Sequence, residues 1–364
     1  MSACFILQRK LPQHCEVEYI LKKQIDVGGV KIGGDAPVTL QSMTNTRTSD
    51  VLETAAQINR LAELGCEIVR LAVPDMDSAD AIGEIKKHIS IPLVADIHFD
   101  HRLALLAAEA GADKIRINPG NIGGADNVRL VAETCLRKSI PIRIGVNGGS
   151  VGRELLDKHG GLTPEALFES ALEHIHLLNR FDFDDICISA KASSVPITVA
   201  AYRLLDERTD YPLHLGLTEA GTEYMGTIKS SACIGALLSQ GIGNTIRVSL
   251  TAPPEREVEA GIAILKAMGL RSGYELISCP TCGRCRIDLI PIAQEVERRL
   301  ETLGRDISVA VMGCAVNGPG EASRADFGIA GGDGEGIIFK KGIVIKKVPM
   351  DDLVGELFIT ITGE

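Results

Sequence analysis

The chain has 364 residues, 45% hydrophobic and 24% charged, which is ordinary for a globular protein and excludes a disordered or collagen-like chain. At about 100–200 residues per domain, the length predicts two domains, or one barrel and a small second domain. Lys and Arg number 38 against 48 Asp and Glu, a net charge of −10, with 4% aromatics and no Trp. Such a chain is a poor nucleic-acid binder, so no nucleic-acid partner is expected.

The N-terminus has a four-residue apolar run before Gln8, followed by Glu16 and Glu18, which suits neither a signal peptide nor a transit peptide. No segment reaches the about 18 apolar residues of a membrane span. The expectation is a cytoplasmic protein without a membrane partner.

Eight β-rich runs follow in chain order, at 38–43, 67–73, 91–99, 113–118, 140–147, 185–189, 211–217 and 244–250. Helical patterns fill the intervals, at 51–65, 101–112 and 163–180 among others; the last opens with Thr163 as N-cap and Pro164 in the first turn. Eight such units predict a (β/α)8 TIM barrel over residues 1–270, with an open doubly wound sheet as the alternative. No GxGxxG follows the first strand, which weakens a dinucleotide-binding version. After a linker at 269–273 the pattern changes. A cysteine pair leads into a helical run to about Gly304, then a strand at 306–314, three short β-rich runs among glycines, and a last short helix. Residues 271–364 therefore read as a small α+β domain.

Strand alternation sorts the barrel residues. Arg70, Asp96, Arg116, Asn118, Arg143, Asn147, Lys191 and Arg247 take the faces opposite the aliphatic residues, and so do His98 and His214. Five cations thus converge on one interior, with few acids near them in sequence, chiefly Asp96 and Glu219. Buried like charges repel unless they are paired. A polyanion such as a diphosphate, gripped by arginine forks, is the economical partner. Barrel active sites lie at the C-terminal strand ends, where these residues fall. The turns 118–124 and 147–150 are glycine-rich and offer backbone N–H groups.

Of ten cysteines, Cys4, Cys15, Cys66, Cys135, Cys187 and Cys233 are scattered and read as small hydrophobes. Cys279, Cys282, Cys285 and Cys314 lie within 36 residues, with Glu321 seven residues after the last. All eight histidines lie at or before His214, so a local Cys3His zinc site is excluded. Two options remain from the spacing. One is four cysteines holding zinc or an iron–sulfur cluster; the other is three cysteines and an unusual ligand.

The segments QSMTNT (41–46), VRLAVPD (69–75), ADIHFD (95–100), KIRINPGNIG (114–123), IRIGVNGGS (142–150), ISAKAS (188–193), LHLGLTEAG (213–221), IRVSLT (246–251), CPTCGR (279–284) and GCAVNGPGEA (313–322) closely resemble the 4-hydroxy-3-methylbut-2-en-1-yl diphosphate synthase family of the non-mevalonate isoprenoid pathway, in its two-domain bacterial form. The resemblance implies a barrel joined to an iron–sulfur domain similar to those of sulfite reductases. It implies a [4Fe–4S] cluster on Cys279, Cys282, Cys314 and Glu321, and reductive ring opening of 2-C-methyl-D-erythritol 2,4-cyclodiphosphate with loss of water. Flavodoxin or ferredoxin would supply two electrons to a homodimer. The eight polar barrel residues would line the pocket, and Glu219 would deliver a proton. Glu321, a carboxylate, would leave iron more easily than a thiolate and open a coordination site. The family usually has a non-cysteine residue at Cys285, which is expected to be a bystander.

Two other readings stay in contention: a barrel lyase or hydrolase with a structural zinc, and a non-enzymatic iron–sulfur carrier. The second gives no reason for the barrel cations. A radical-SAM enzyme lacks support, because its CxxxCxxC is absent.

Overall fold

A computed structural model describes residues 6–10, 16–20, 22–314, 320 and 322–363. Cys4, Cys15 and Glu321 lie outside the described residues. The chain divides into two units, Met1–Leu270 and Arg271–Glu364.

Two hairpins open the first unit. β1 (Ile6–Lys10) pairs antiparallel with β2 (Glu16–Ile20). β3 (Ile25–Val27) pairs with β4 (Val30–Ile32) across a two-residue turn. Gly28 and Gly29 hold φ of 56° and 94° there, the left-handed backbone that tight hairpins need.

Strands and helices then alternate. β5 (Thr39–Met43), α1 (Val51–Glu63), β6 (Ile68–Ala72), α2 (Met76–Ile85), β7 (Leu93–Asp96), α3 (His101–Glu109), β8 (Lys114–Ile117) and α4 (Ala125–Lys138) form the first half. β9 (Ile142–Asn147), α5 (Arg153–His159), α6 (Pro164–Asn179), β10 (Ile186–Lys191), α7 (Val195–Arg208), β11 (His214–Leu215), α8 (Glu223–Leu238), β12 (Thr245–Ile246) and α9 (Pro254–Ala267) form the second. Side chains of Asp50, Asp75, Asp100 and Thr163 accept backbone N–H groups at the starts of α1, α2, α3 and α6, satisfying donors that a helix leaves open.

The strand order is β10-β9-β8-β7-β6-β5-β12-β11, every pairing parallel. A bridge from Ile188 to Leu213 brings the two ends together. The result is the eight-stranded TIM barrel, not the open sheet. Leu40, Val69, Leu71, Ile115, Ile142 and Ile144 face outward into the main core under the helices. The opposite faces point to the axis. At the N-terminal end, Ile25, Val27 and Ile32 of the β3–β4 hairpin pack on Ile68, Val94 and Cys187, giving the barrel an apolar floor.

The second unit is a five-stranded sheet ordered β13-β14-β15-β16-β17. Its strands are β13 (Tyr274–Ser278), β14 (Ile307–Met312), β15 (Phe327–Gly331), β16 (Glu335–Lys340) and β17 (Ile343–Pro349). The first three are mutually parallel and the last two antiparallel. α10 (Leu289–Leu303) and α11 (Leu353–Thr362) bury Val296, Leu300, Leu357 and Ile361 on one face of the sheet. A smaller apolar cluster around Ala310, Met312 and Phe339 covers the other.

Candidate functional site

The parallel strands aim their last inward side chains at one mouth. A cavity of ≈ 210 Å³ there is lined by Arg70, Asp96, Arg116, Arg143, Lys191 and Arg247, and also by Asn147, Ser189, Thr218 and Ser249. All five cations read from strand alternation reach it. Asn118 does not line it: its Oδ1 accepts the N–H of Gly120 at 3.1 Å, and its Nδ2 is buried without a protein partner. Glu219 is exposed and also outside the lining, one residue after Thr218. Its φ is +54°, a strained backbone for a non-glycine residue.

Asp96 is the hub. Its Oδ1 accepts from Arg116 Nη1 at 2.9 Å, and its Oδ2 lies 3.5 Å from Arg70 Nε and 3.5 Å from His98 Nε2. Burial pushes the carboxyl upward, but Arg70, His98, Arg116 and Arg143 outweigh it and hold it well below its ordinary value. Arg116 Nη2 also donates to the Gly145 carbonyl at 3.2 Å. Arg70 rests on Met43, with Nη2 2.9 Å from the sulfur. The second acid in the barrel is Glu257 of α9, not Glu219. Glu257 lies 3.6 Å from Arg247 and takes the N–H of Leu250 at 2.9 Å. Its position on a helix hid it from strand alternation.

Two carboxylates therefore face five mouth cations. Burial, then repulsion from neighbouring arginines, pushes Lys191 well below its ordinary value and Arg143 down to about 10. A cationic pocket that strains its own charges is complementary to an anion with several oxygens.

Deeper in the barrel, strand alternation missed Lys114. It is fully buried, and burial lowers its pKa to about 8. His214 is a core histidine, but neither ring nitrogen has a protein partner. With Thr39, Gln41, Arg143 and Thr245, these residues carry nine buried polar atoms that no protein group satisfies. Each such atom costs about 1–3 kcal/mol. Nine together would rival the about 5–15 kcal/mol stability of a whole protein, so the barrel interior is built to hold polar guests.

In the second unit, β13 and β14 end side by side and bring Cys279 and Cys314 to one end of the sheet. Cys279 Sγ accepts the N–H of Gly313 at 3.2 Å. The turn from Cys282 to Cys285 closes with a 2.9 Å backbone bond, and Arg286 N–H reaches the Gly313 carbonyl at 2.8 Å. A Cβ on Gly313 would stand 2.5 Å from Cys285 Sγ, so that glycine lets the loops close. Cys285 donates to the Ile287 carbonyl at 3.2 Å. None of these cysteines is in a disulfide. The Arg284 N–H and guanidinium hold the exposed Cys282 thiol below its ordinary value, which favours thiolate, the ligand form. Among the described residues, no group of three or more His, Cys, Asp or Glu side chains is arranged to hold a metal; Glu321 is outside them. The donor set of free, soft thiols without histidine fits an iron–sulfur cluster.

Residues 22–262 match the family described as the GcpE TIM-barrel domain, and 275–363 match the GcpE protein C-terminal domain. The chain belongs to the GcpE family. A relative from Ruminiclostridium cellulolyticum, named 4-hydroxy-3-methylbut-2-en-1-yl diphosphate synthase (flavodoxin), is 58% identical over 93% of this chain and 97% of its own length. A second of the same name, from Caldanaerobacter subterraneus, is 59% identical over 93% of this chain and 95% of its own. Among solved structures, dihydropteroate synthase from Stenotrophomonas maltophilia aligns with a TM-score of 0.50 over 67% of this chain and 96% of its own. At 14% identity that likeness speaks for the barrel fold alone. Within the GcpE chain, no helix among the described residues is long and apolar enough to cross a membrane.

Proposed function

We propose that this chain is a 4-hydroxy-3-methylbut-2-en-1-yl diphosphate synthase: it opens the ring of 2-C-methyl-D-erythritol 2,4-cyclodiphosphate reductively and releases water. The ring C–O bond to phosphate and the bond to a neighbouring hydroxyl break, a carbon–carbon double bond forms, and two electrons and two protons are taken up. The curated relatives carry this name over almost their whole length. The observation that carries the reading is the mouth itself, five cations, four of them buried, against the carboxylates of Asp96 and Glu257 in a chain of net charge −10.

Arg70, Arg116, Arg143, Lys191 and Arg247 bind the diphosphate, with Asn118 and Asn147 at the rim of the strand ends. Asp96 keeps Arg70 and Arg116 in place so that their free N–H groups face the phosphates. Glu219, beside the lining residue Thr218, gives a proton to the departing hydroxyl. Cys279, Cys282, Cys314 and Glu321 would hold a [4Fe–4S] cluster. When bound, that group supplies electrons and a Lewis-acidic iron. Flavodoxin is the expected reductant, as in the relatives' names, with ferredoxin the alternative, and the working form is a cytoplasmic homodimer.

The in vivo test is complementation. A bacterial strain depleted of its own synthase should regain growth when it carries this gene and not when it carries the Arg116→Ala form. Failure of the unmodified gene, with the protein expressed and iron-loaded, would contradict the reading.

A further inference from the structure

Beneath the mouth, the inward positions of β5, β8, β9, β11 and β12 form a lower polar storey. Thr39, Gln41, Lys114, Arg143, His214 and Thr245 supply it, each 2% exposed or less. Ile68, Val94 and Cys187 stand in register with Gln41, Lys114 and Arg143, and the apolar floor of the β3–β4 hairpin packs against them.

The composition of this storey decides what can fill it. Lys114 Nζ, Arg143 Nε and Nη1, and Gln41 Nε2 have no protein acceptor. No carboxylate faces them from below: Asp96 is bound to Arg70 and Arg116, and Glu257 to Arg247. Donors outnumber acceptors, and the charge is positive. Water bridges donors to acceptors in equal measure, so it corrects neither the donor surplus nor the charge. A small anion corrects both.

We propose that the lower storey is a sealed anion site, in which Lys114 and Arg143 hold a halide ion above the barrel floor. Arg143 then serves both storeys. Its Nε and Nη1 turn inward to the halide, and the same guanidinium lines the mouth above. The halide anchors Arg143 in the position from which it meets substrate. The site stands apart from the diphosphate reading, because it needs no substrate.

Two experiments test it on the full-length protein. In crystals soaked in millimolar bromide, an anomalous peak is expected within contact of Lys114 Nζ and Arg143 Nε; density for water alone there would overturn the proposal. In solution, replacing gluconate by chloride at equal ionic strength should raise Tm by about 3–6 °C for a site filled to about 100 times its Kd. Lys114→Met should lose that increment, and a variant that keeps it contradicts the assignment. Should Lys114→Met not fold, the bromide peak and the chloride increment of the unmodified protein decide the matter, and absence of both rejects the site.

Discussion

Arg116 lies directly over Gly145. Its Nη2 donates to the Gly145 carbonyl, and a Cβ at 145 would stand 2.3 Å from its Nε. The glycine thus makes room for an arginine that is 6% exposed and tied to Asp96. Gly145→Ala should push the guanidinium off its seat and leave the strand intact, since β9 is regular there. Losing one charge-assisted contact predicts weaker substrate binding by about 10- to 100-fold. Titration calorimetry reads the loss, with unchanged circular dichroism as the control; unaltered affinity would show that Arg116 does not grip the ligand.

Asp96 gives a pH signature. Its carboxyl is held below the ordinary 3.8, so the folded state binds fewer protons than the unfolded one. The stabilisation is fully present above about pH 3.8 and is lost as pH falls further. Asp96→Asn should cost about 3–5 kcal/mol at pH 7, because it leaves Arg70 and Arg116 unpaired. That difference should shrink in denaturant titrations below pH 3.8. A constant difference down to pH 3 would mean that the carboxylate is not what stabilises the mouth.

Cys285 and Cys314 should behave oppositely. Cys285 already has the Ile287 carbonyl as acceptor, so Cys285→Ser is expected to keep full iron content and the visible absorbance of the cluster. Cys314→Ser should lose both. Iron loss in Cys285→Ser would make that residue a ligand and remove Glu321 from the set.

Glu219 is strained, exposed and next to a lining residue. As a proton donor it predicts that Glu219→Gln lowers kcat by about 10²- to 10⁴-fold, with KM nearly unchanged. An equal rise in KM with kcat intact would assign it to binding.

Much of the barrel was legible because its strands alternate strictly, aliphatic outward and polar inward, so Arg70, Arg116, Arg143, Lys191 and Arg247 could be placed on one axis from sequence. What escaped had physical reasons. Glu257 acts from a helix, where period 2 carries no information. Lys114 shares the parity of Arg116 but begins its strand, one turn of the pleat below the mouth. The floor hairpin has strands of three residues, too short for a periodic signal, although its Gly-Gly turn was visible. β13 follows the linker at 269–273 and is not singled out by sequence, because Tyr274–Ser278 is half exposed and shows no clean alternation.

The most direct test of the account is anaerobic turnover. Reconstituted protein, its cluster confirmed by absorbance, is mixed with the cyclodiphosphate and reduced flavodoxin, and phosphorus NMR follows the ring. The account predicts that the two ring phosphorus signals give way to those of a linear allylic diphosphate, at a rate that Arg116→Ala abolishes. Persistence of the ring beside an intact, reduced cluster would contradict it.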